Sequence, residues 1–158
     1  MSNGLDAIDV RILQQLQIDC SISTSELAER VGLSQSPCWR RIQRLREEGY
    51  IKAQVAILDP ERMGFQMHIF AQLKMNNLAD NEREKFIREI AAIPEIVECY
   101  SVLGERDAMI KVIAPDIKWY QDFIFRKILK LPGVVDISST VALSEMKRTT
   151  ALPVRQGV

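Results

Sequence analysis

The sequence predicts an α+β fold in two parts: a small helical head, then a four-stranded sheet carrying two helices. Three observations predict it. Apolar residues recur at helical spacing in three short segments before residue 48. From residue 67 onward, strand-like and helical runs follow in the order βαββαβ. Between them, Asp59-Pro60 punctuates the chain and its character changes. The expected boundary is near residue 60, giving domains 1–60 and 61–158, and a chain of 158 residues is long enough for two such units.

The first helix is expected over Leu5 to Leu16, with Leu5, Ile8, Ile12, Leu13 and Leu16 on one side. Asp6 and Asp9 lie in or near its first turn, where carboxylates suit the positive end of a helix. Residues 19–23 break the period. Ser23 or Thr24 can then cap a second helix, with Leu27, Ala28 and Val31 inward. Gly32 supplies the turn, because glycine tolerates positive φ.

A third helix follows over Leu33 to Leu45. Ser34 stands where an N-cap should, and Pro37 falls in the first turn, where a missing N–H is tolerated. Cys38, Ile42 and Leu45 line the inner face. Ser36, Trp39, Arg40 and Gln43 point away, with Arg41 and Arg44 on the flanks. A short helix, a tight turn and a second helix with a polar outer face make a helix-turn-helix. Gly49 ends it. Tyr50 to Leu58 then alternates, with Ile51, Ala53, Val55 and Ile57 on one side: a strand or short hairpin, the wing of a winged helix.

In the second part, Met67 to Met75 reads as a strand. Glu82 to Ile93 reads as a helix with Phe86, Ile87, Ile90 and Ile93 inward, stopped by Pro94. Ile96 to Leu103 and Ala108 to Ile113 read as strands around the turn Gly104-Glu105-Arg106-Asp107. Asp116 can cap a helix running to Leu131, which Pro132-Gly133 ends, and Val134 to Leu143 is the last strand. The pattern is ferredoxin-like. Two helices cover one face of such a sheet and leave the other bare. Both alternate sets of Ile96 to Leu103 contain apolar residues, so the bare face is expected to be an apolar interface through which the domain dimerises. The tail from Lys147 to Pro153 either continues that interface or frays.

The totals exclude several classes. Lys plus Arg equals Asp plus Glu, so no global field favours nucleic acid or an acidic membrane. Any basic surface must be local. Residues 34–54 supply one, with Arg40, Arg41, Arg44, Arg46 and Lys52 against Glu47 and Glu48. Cys20, Cys38 and Cys99 are widely spaced, which argues against a disulfide framework or zinc ribbon. Cys38 and Cys99 read as small core residues. No apolar run is long enough to span a membrane, and no basic and apolar leader opens the chain. The expected compartment is the reducing cytoplasm.

The outer face of the third helix suits the major groove of double-stranded DNA. Arg can read guanine, Gln can read adenine and Ser can hold a phosphate. The candidate contacts are Ser34, Gln35, Ser36, Trp39, Arg40, Arg41, Gln43 and Arg44. Trp39 either touches the DNA or packs against the first helix. In the second part, Asp107 could accept bonds from an ammonium group and the Gly104 N–H could meet a carboxylate. Gly and Asp are equally at home in a plain turn. Glu105 and Asp107 could be read as a catalytic pair, but no other acid, base or nucleophile has a motif around it. His68, the one histidine, sits in an apolar strand, so no metal-ligand set is evident and no cofactor is expected. The residues alone leave two other functions open: a ferredoxin-like small-molecule-binding or catalytic protein whose head serves assembly, and a DNA-organising protein with little sequence preference.

The chain resembles the leucine-responsive and asparagine-responsive bacterial transcription regulators, the feast/famine family. The resemblance rests on Leu5-Asp6, Asp9, Ile12-Leu13, Glu26-Leu27-Ala28, Val31-Gly32-Leu33-Ser34, Ser36-Pro37-Cys38, Arg41, Arg44-Leu45 and Gly49-Tyr50-Ile51, then Cys99, Gly104, Asp107 and Leu131-Pro132-Gly133-Val134. It implies a sequence-specific regulator, not an enzyme, with a winged helix-turn-helix joined to a ferredoxin-like effector domain. It also implies homodimers that assemble into octamers or other even rings, and a small effector, usually an amino acid, held between subunits. The turn matching Gly104 and Asp107, with Glu105 inside it, would form that pocket, and Leu103 and Thr140 would lie near it. Two positions depart from the family pattern. Cys20-Ser21 stands where the family often has Gly-Arg, and Ala108 where it usually has Tyr, a change that would enlarge or weaken the pocket.

Overall fold

The structure, a computed structural model, describes residues 4–157. It forms two compact units. The first comprises the chain up to Ala56 together with the segment from Lys147 onward, and the second is Ile57–Met146. The last segment thus belongs with the helical head, not with the sheet domain to which the 61–158 boundary assigned it.

The head is three helices, α1 (Ala7–Ile18), α2 (Thr24–Val31) and α3 (Gln35–Glu47). Asp6 caps α1 by accepting from the N–H groups of Ile8 and Asp9 at 2.8 Å each, and the Asp9 carboxylate accepts in return from the Asp6 N–H. Ser23, not Thr24, caps α2. Gly32 ends α2 at φ 74°, a left-handed conformation that lets the chain turn sharply into α3. The core joins Leu5, Val10, Ile12 and Leu13 to Leu27, Ala28, Val31, Cys38, Ile42 and Leu45.

The tail neither frays nor extends the sheet. Gln17 on α1 clamps Leu152, its amide donating to the Leu152 carbonyl at 3.1 Å and accepting from the Leu152 N–H at 2.6 Å. Val154 packs against the head core, and the Gly157 N–H donates to the Leu5 carbonyl.

No strand forms over Tyr50–Leu58. Tyr50 and Ile51 lean on the head core, but Val55, Ile57 and Leu58 are exposed. The alternation is real, yet a strand exists only with a paired neighbour, and the described residues of the single chain offer none.

The second unit carries a sheet of order β2-β3-β1-β4, all pairs antiparallel: β1 (Met67–Met75), β2 (Ile96–Ser101), β3 (Ala108–Ala114) and β4 (Val134–Val141). Helices α4 (Asp80–Ala91) and α5 (Ile117–Arg126) complete the expected βαββαβ order. α4 starts two residues before the expected Glu82, because the Glu82 carboxylate reaches back to the Ala79 N–H. α5 stops early and tightens into a 3₁₀ turn, Ile128–Lys130. At three residues per turn, Ile128 and Leu131 come to the same side, and both are buried. β2 and β4 are each two residues shorter than expected, leaving Leu103 and Leu143 in solvent.

Alternation on the central strands is strict. Ile69, Ala71 and Leu73 of β1 and Ala108, Ile110, Val112 and Ala114 of β3 face the helices and are buried. The bare face is not the apolar surface expected. Phe70, Tyr100, Met109 and Ile113 share it with Gln72, Lys74, Glu98, Lys111, Asp136, Ser138 and Thr140. Lys111 pairs with Glu98 at 3.2 Å and lies 5.8 Å from the centre of the Phe70 ring. The apolar run that suggested two greasy faces comes from β2, an edge strand whose residues are mostly exposed on both sides.

Candidate DNA-reading helix and effector site

The α3 helix presents the face that its sequence predicts. Cys38, Ile42 and Leu45 are buried, while Ser34, Gln35, Ser36, Trp39 and Arg40 are exposed and Gln43 is half-buried. Ser34 holds the N-cap position but its hydroxyl makes no cap bond, so that hydroxyl and the first N–H groups of α3 remain available. Trp39 is 53% exposed, so of its two readings the packed one fails. Among the described residues, Arg40 has no ion pair.

Arg41 and Arg44 differ. Arg41 donates to Asp6 at 2.6 Å and to Asp9 at 2.8 Å, and Arg44 donates to the other oxygen of Asp9. The Asp9 carboxylate is 0% exposed. Its partners are two guanidinium groups and the Asp6 N–H, so the buried charge is well satisfied. The Asp9 N–H and the Arg41 guanidinium pull the Asp6 carboxyl from 3.8 down to about 2. These bonds pin α3 to the start of α1. They also neutralise much of the local positive charge, leaving Arg40, Arg46 and Lys52 as its outward part. Arg46 in turn donates to the Gln54 side chain at 2.7 Å. The clamp was missed from sequence because Asp9 was read only as a helix-end charge. Its place three residues after the capping Asp6 was the available signal.

In the second unit, residues 102–107 form a loop closed by the Val102 N–H donating to the Asp107 carbonyl at 3.1 Å. Asp107 anchors it to β1. Its N–H donates to the Leu73 carbonyl, and its carboxylate accepts from the Met75 N–H at 2.7 Å and pairs with Lys74 at 3.2 Å. The Met75 N–H and Lys74 hold the Asp107 carboxyl below the usual carboxylate range. Lys74 also donates to the Glu105 carbonyl, and Arg106 pairs with Asp136 on β4. Leu103 is fully exposed at the loop tip beside exposed Gly104. Thr140 is not brought to this loop within the chain. It pairs with Phe70, while the loop is anchored at Leu73 and Met75, further along the same strand.

Beside the loop, a cleft of about 790 Å³ opens between α4 and the edge strand β2. Phe86, Ile87 and Ile90 form one wall, Ile96 and Val97 the other, and Asn76, Arg83, Ser101 and Asp107 lie among its lining residues. Ile87, expected in the core, is 58% exposed on this cleft. Cys99, also expected in the core, is exposed here, because β2 is the sheet's edge. Burial of its thiol pushes the Cys99 pKa up, so it is a neutral lining group. Of the sequence candidates for effector binding, only Asp107 lines this cleft; Cys99, Ser101, Met75 and Arg83 were missed. Among the described residues, no group of three His, Cys, Asp or Glu side chains could hold a metal ion, and no helix is long and apolar enough to cross a membrane.

Comparison with known proteins gives two family matches. Residues 5–52 match a winged helix-turn-helix DNA-binding model, and residues 68–152 match the Lrp/AsnC ligand binding domain. The chain is 35% identical over 150 residues to the DNA-binding transcriptional activator DecR of Escherichia coli K12, covering 95% of this chain and 99% of that protein. It is 36% identical over 151 residues to the leucine-responsive regulatory protein of the same strain, covering 96% and 92%. An AsnC family transcriptional regulator from Agrobacterium tumefaciens superposes with a TM-score of 0.90 at 37% identity, covering 94% of this chain and 97% of that one. A Neisseria meningitidis transcriptional regulator solved as a complex with L-Met gives the same TM-score at 34% identity, covering 94% and 96%.

Proposed function

The chain belongs to the Lrp/AsnC family of DNA-binding transcriptional regulators, and on that premise we propose that α3 reads the major groove of double-stranded DNA under the control of a small amino-acid effector. Ser36, Trp39, Arg40 and Gln43 face the bases, and Ser34 and Gln35 meet phosphates at the N-terminus of α3. Arg41 and Arg44 act first as the mount that fixes the helix, their outer N–H groups facing the DNA backbone. The observation that carries this reading is the division of labour on α3: two arginines are bound to Asp6 and Asp9, and Arg40 stands unpaired and outward.

The effector binds at the second domain, near Leu103, Gly104, Glu105 and Asp107, with Thr140 contributed, if at all, from a neighbouring copy. The protein works in the cytoplasm as a homodimer formed through the bare sheet face, with dimers assembling into an octamer or another even ring. Lys74 and Lys111 balance Glu98 and Asp136 on that face, so two copies meet without net repulsion. No catalytic step or cofactor enters. Its relatives are transcriptional regulators, and Asp107, the better candidate of the proposed pair, is occupied in anchoring its loop.

The test is a gel shift on the protein's own promoter. Arg40→Ala is expected to cost roughly 1–3 kcal/mol in specific binding while leaving the helical signal intact. Unchanged affinity would remove Arg40 from the readout. Broad instead of phased footprints would favour a DNA-organising role over sequence-specific regulation.

A further inference from the structure

We infer that the effector is an amino acid with a large apolar side chain, and that this side chain lies in the cleft between α4 and β2. The inference rests on the amino-acid reading above and adds where the side chain goes and what kind it is. The register places Cys99 opposite Ile110 and Ser101 opposite Ala108. Ile110 and Ala108 face the helices, so Cys99 and Ser101 do too. Three small residues, Cys99, Ser101 and Ala108, therefore occupy sheet positions beneath α4. On the neighbouring strands the equivalent positions hold Ile69, Leu73, Ile110 and Val112, which fill the core. The sheet and α4 leave a gap there because the side chains that would close it are absent.

What surrounds the gap is apolar. Phe86, Ile87 and Ile90 descend from α4, and Ile96 and Val97 rise from the start of β2. Leu78 also lines the cleft and is held by close packing on Gly133: a Cβ built at Gly133 would stand 2.3 Å from the Leu78 side chain. Gly133 has φ 74°, and its carbonyl accepts from the Asn76 N–H at 2.9 Å. The cleft's 790 Å³ falls within the roughly 300–1,000 Å³ of small-molecule sites.

The lining also includes one cation and one anion, Arg83 and Asp107, with Asn76 and the Ser101 hydroxyl. A carboxylate can meet Arg83, and an ammonium can meet a lone pair that Asp107 keeps free of Met75 and Lys74. That pair of opposite charges fits a zwitterion better than an anion or a cation. The large remaining wall carries no charge to pair with an acidic or basic side chain, and burying a short polar one there would waste its hydrogen bonds. Leucine-like, methionine-like or phenylalanine-like side chains suit it.

The experiment uses the full-length protein. Thermal shift and calorimetric titration would compare L-Leu, L-Met and L-Phe with L-Ala, L-Ser, L-Asp and L-Lys. At least one of the large apolar group is expected to bind, and the others to bind about tenfold more weakly or not at all. Cys99→Phe and Ser101→Phe fill the cleft from exposed positions on an edge strand. Each is expected to weaken that binding about tenfold or more, with ligand-free DNA affinity unchanged. Preference for a small or charged amino acid would overturn the inference, as would undiminished binding in both Phe variants. In either case the amino-acid reading itself survives. If no amino acid binds at all, both fall. Sedimentation of the same variants covers the rival occupant. A changed oligomer with unchanged ligand affinity would mean that a second copy fills the cleft, and would overturn the inference.

Discussion

Two aspartates hold the two working parts of this molecule, under opposite conditions. Asp9 is wholly buried, closes the capping box of α1 and takes both Arg41 and Arg44. Asp107 is well exposed and takes the Met75 N–H and the Lys74 ammonium. The chemistry is alike, and the surroundings differ. A buried carboxylate stripped of its partners leaves a charge out of water, which is costly. An exposed one is rehydrated at little cost. The joint under the reading helix is therefore stiff and the joint under the effector loop is soft. A helix that must present side chains to base edges needs a fixed mount. A loop that responds to a small molecule is drawn from the weakly held parts of a fold.

The largest expected effect breaks the stiff joint. The double variant Arg41→Ala with Arg44→Ala leaves Asp9 buried with only the Asp6 N–H, and should cost about 3–5 kcal/mol of stability in the head. Denaturant unfolding followed by the helical circular dichroism signal measures it. Adding Asp9→Leu to the double variant should recover much of that loss, because no buried charge is then stranded. A double variant costing under about 1 kcal/mol would reduce the clamp to an ordinary surface ion pair and end the contrast.

Acid provides a milder probe of the same joint. The Asp6 carboxyl lies at about 2 in the fold against an ordinary 3.8. A depressed carboxyl stabilises the fold fully above its unfolded value and loses that contribution as pH falls through its folded value. The head should therefore lose stability between pH 3.8 and about 2. Asp6→Asn keeps an acceptor for the cap, so it should remove part of this pH dependence while sparing the helix at neutral pH. Melting curves taken across that range would show it. An identical slope in Asp6→Asn and the parent would assign the acid loss to other carboxylates.

How far the sequence could be read follows the same division between local and long-range order. Caps and periods are local, so Asp6, Ser23, Gly32, Asp116 and the buried faces of α1 to α3 were all legible from spacing. The order βαββαβ was legible for the same reason. What failed was whatever depends on a partner far along the chain or outside it. The alternation of Tyr50–Leu58 could not reveal that no strand lies beside it. The apolar β2 could not reveal that it is an edge, so Cys99 and Ile87 were placed in the core and not on a cleft. Gln17 and Leu152 are separated by 135 residues and meet through one amide and one peptide group, a pairing with no sequence pattern. The outward set on α3 was legible, but which of its arginines are already spoken for was not. That answer lay in two aspartates some 32 to 35 residues earlier.

The smallest expected effect tests the soft joint. In Asp107→Asn the amide oxygen can still accept from the Met75 N–H, but the attraction of Lys74 is lost. Global melting should stay within about 1–2 °C of the parent, because exposed pairs contribute little. The difference should appear locally. Hydrogen exchange at the Met75 and Asp107 N–H groups, which tie the loop to β1, should quicken, while exchange in α3 should not change. Effector affinity should fall more than stability does, because the ammonium of a bound zwitterion loses its anionic partner. A drop in global stability comparable to that of the arginine pair would mean that Asp107 braces the whole sheet domain. The loop would then be as stiff as the mount under α3, and a ligand could no longer move it by taking over contacts with Asp107.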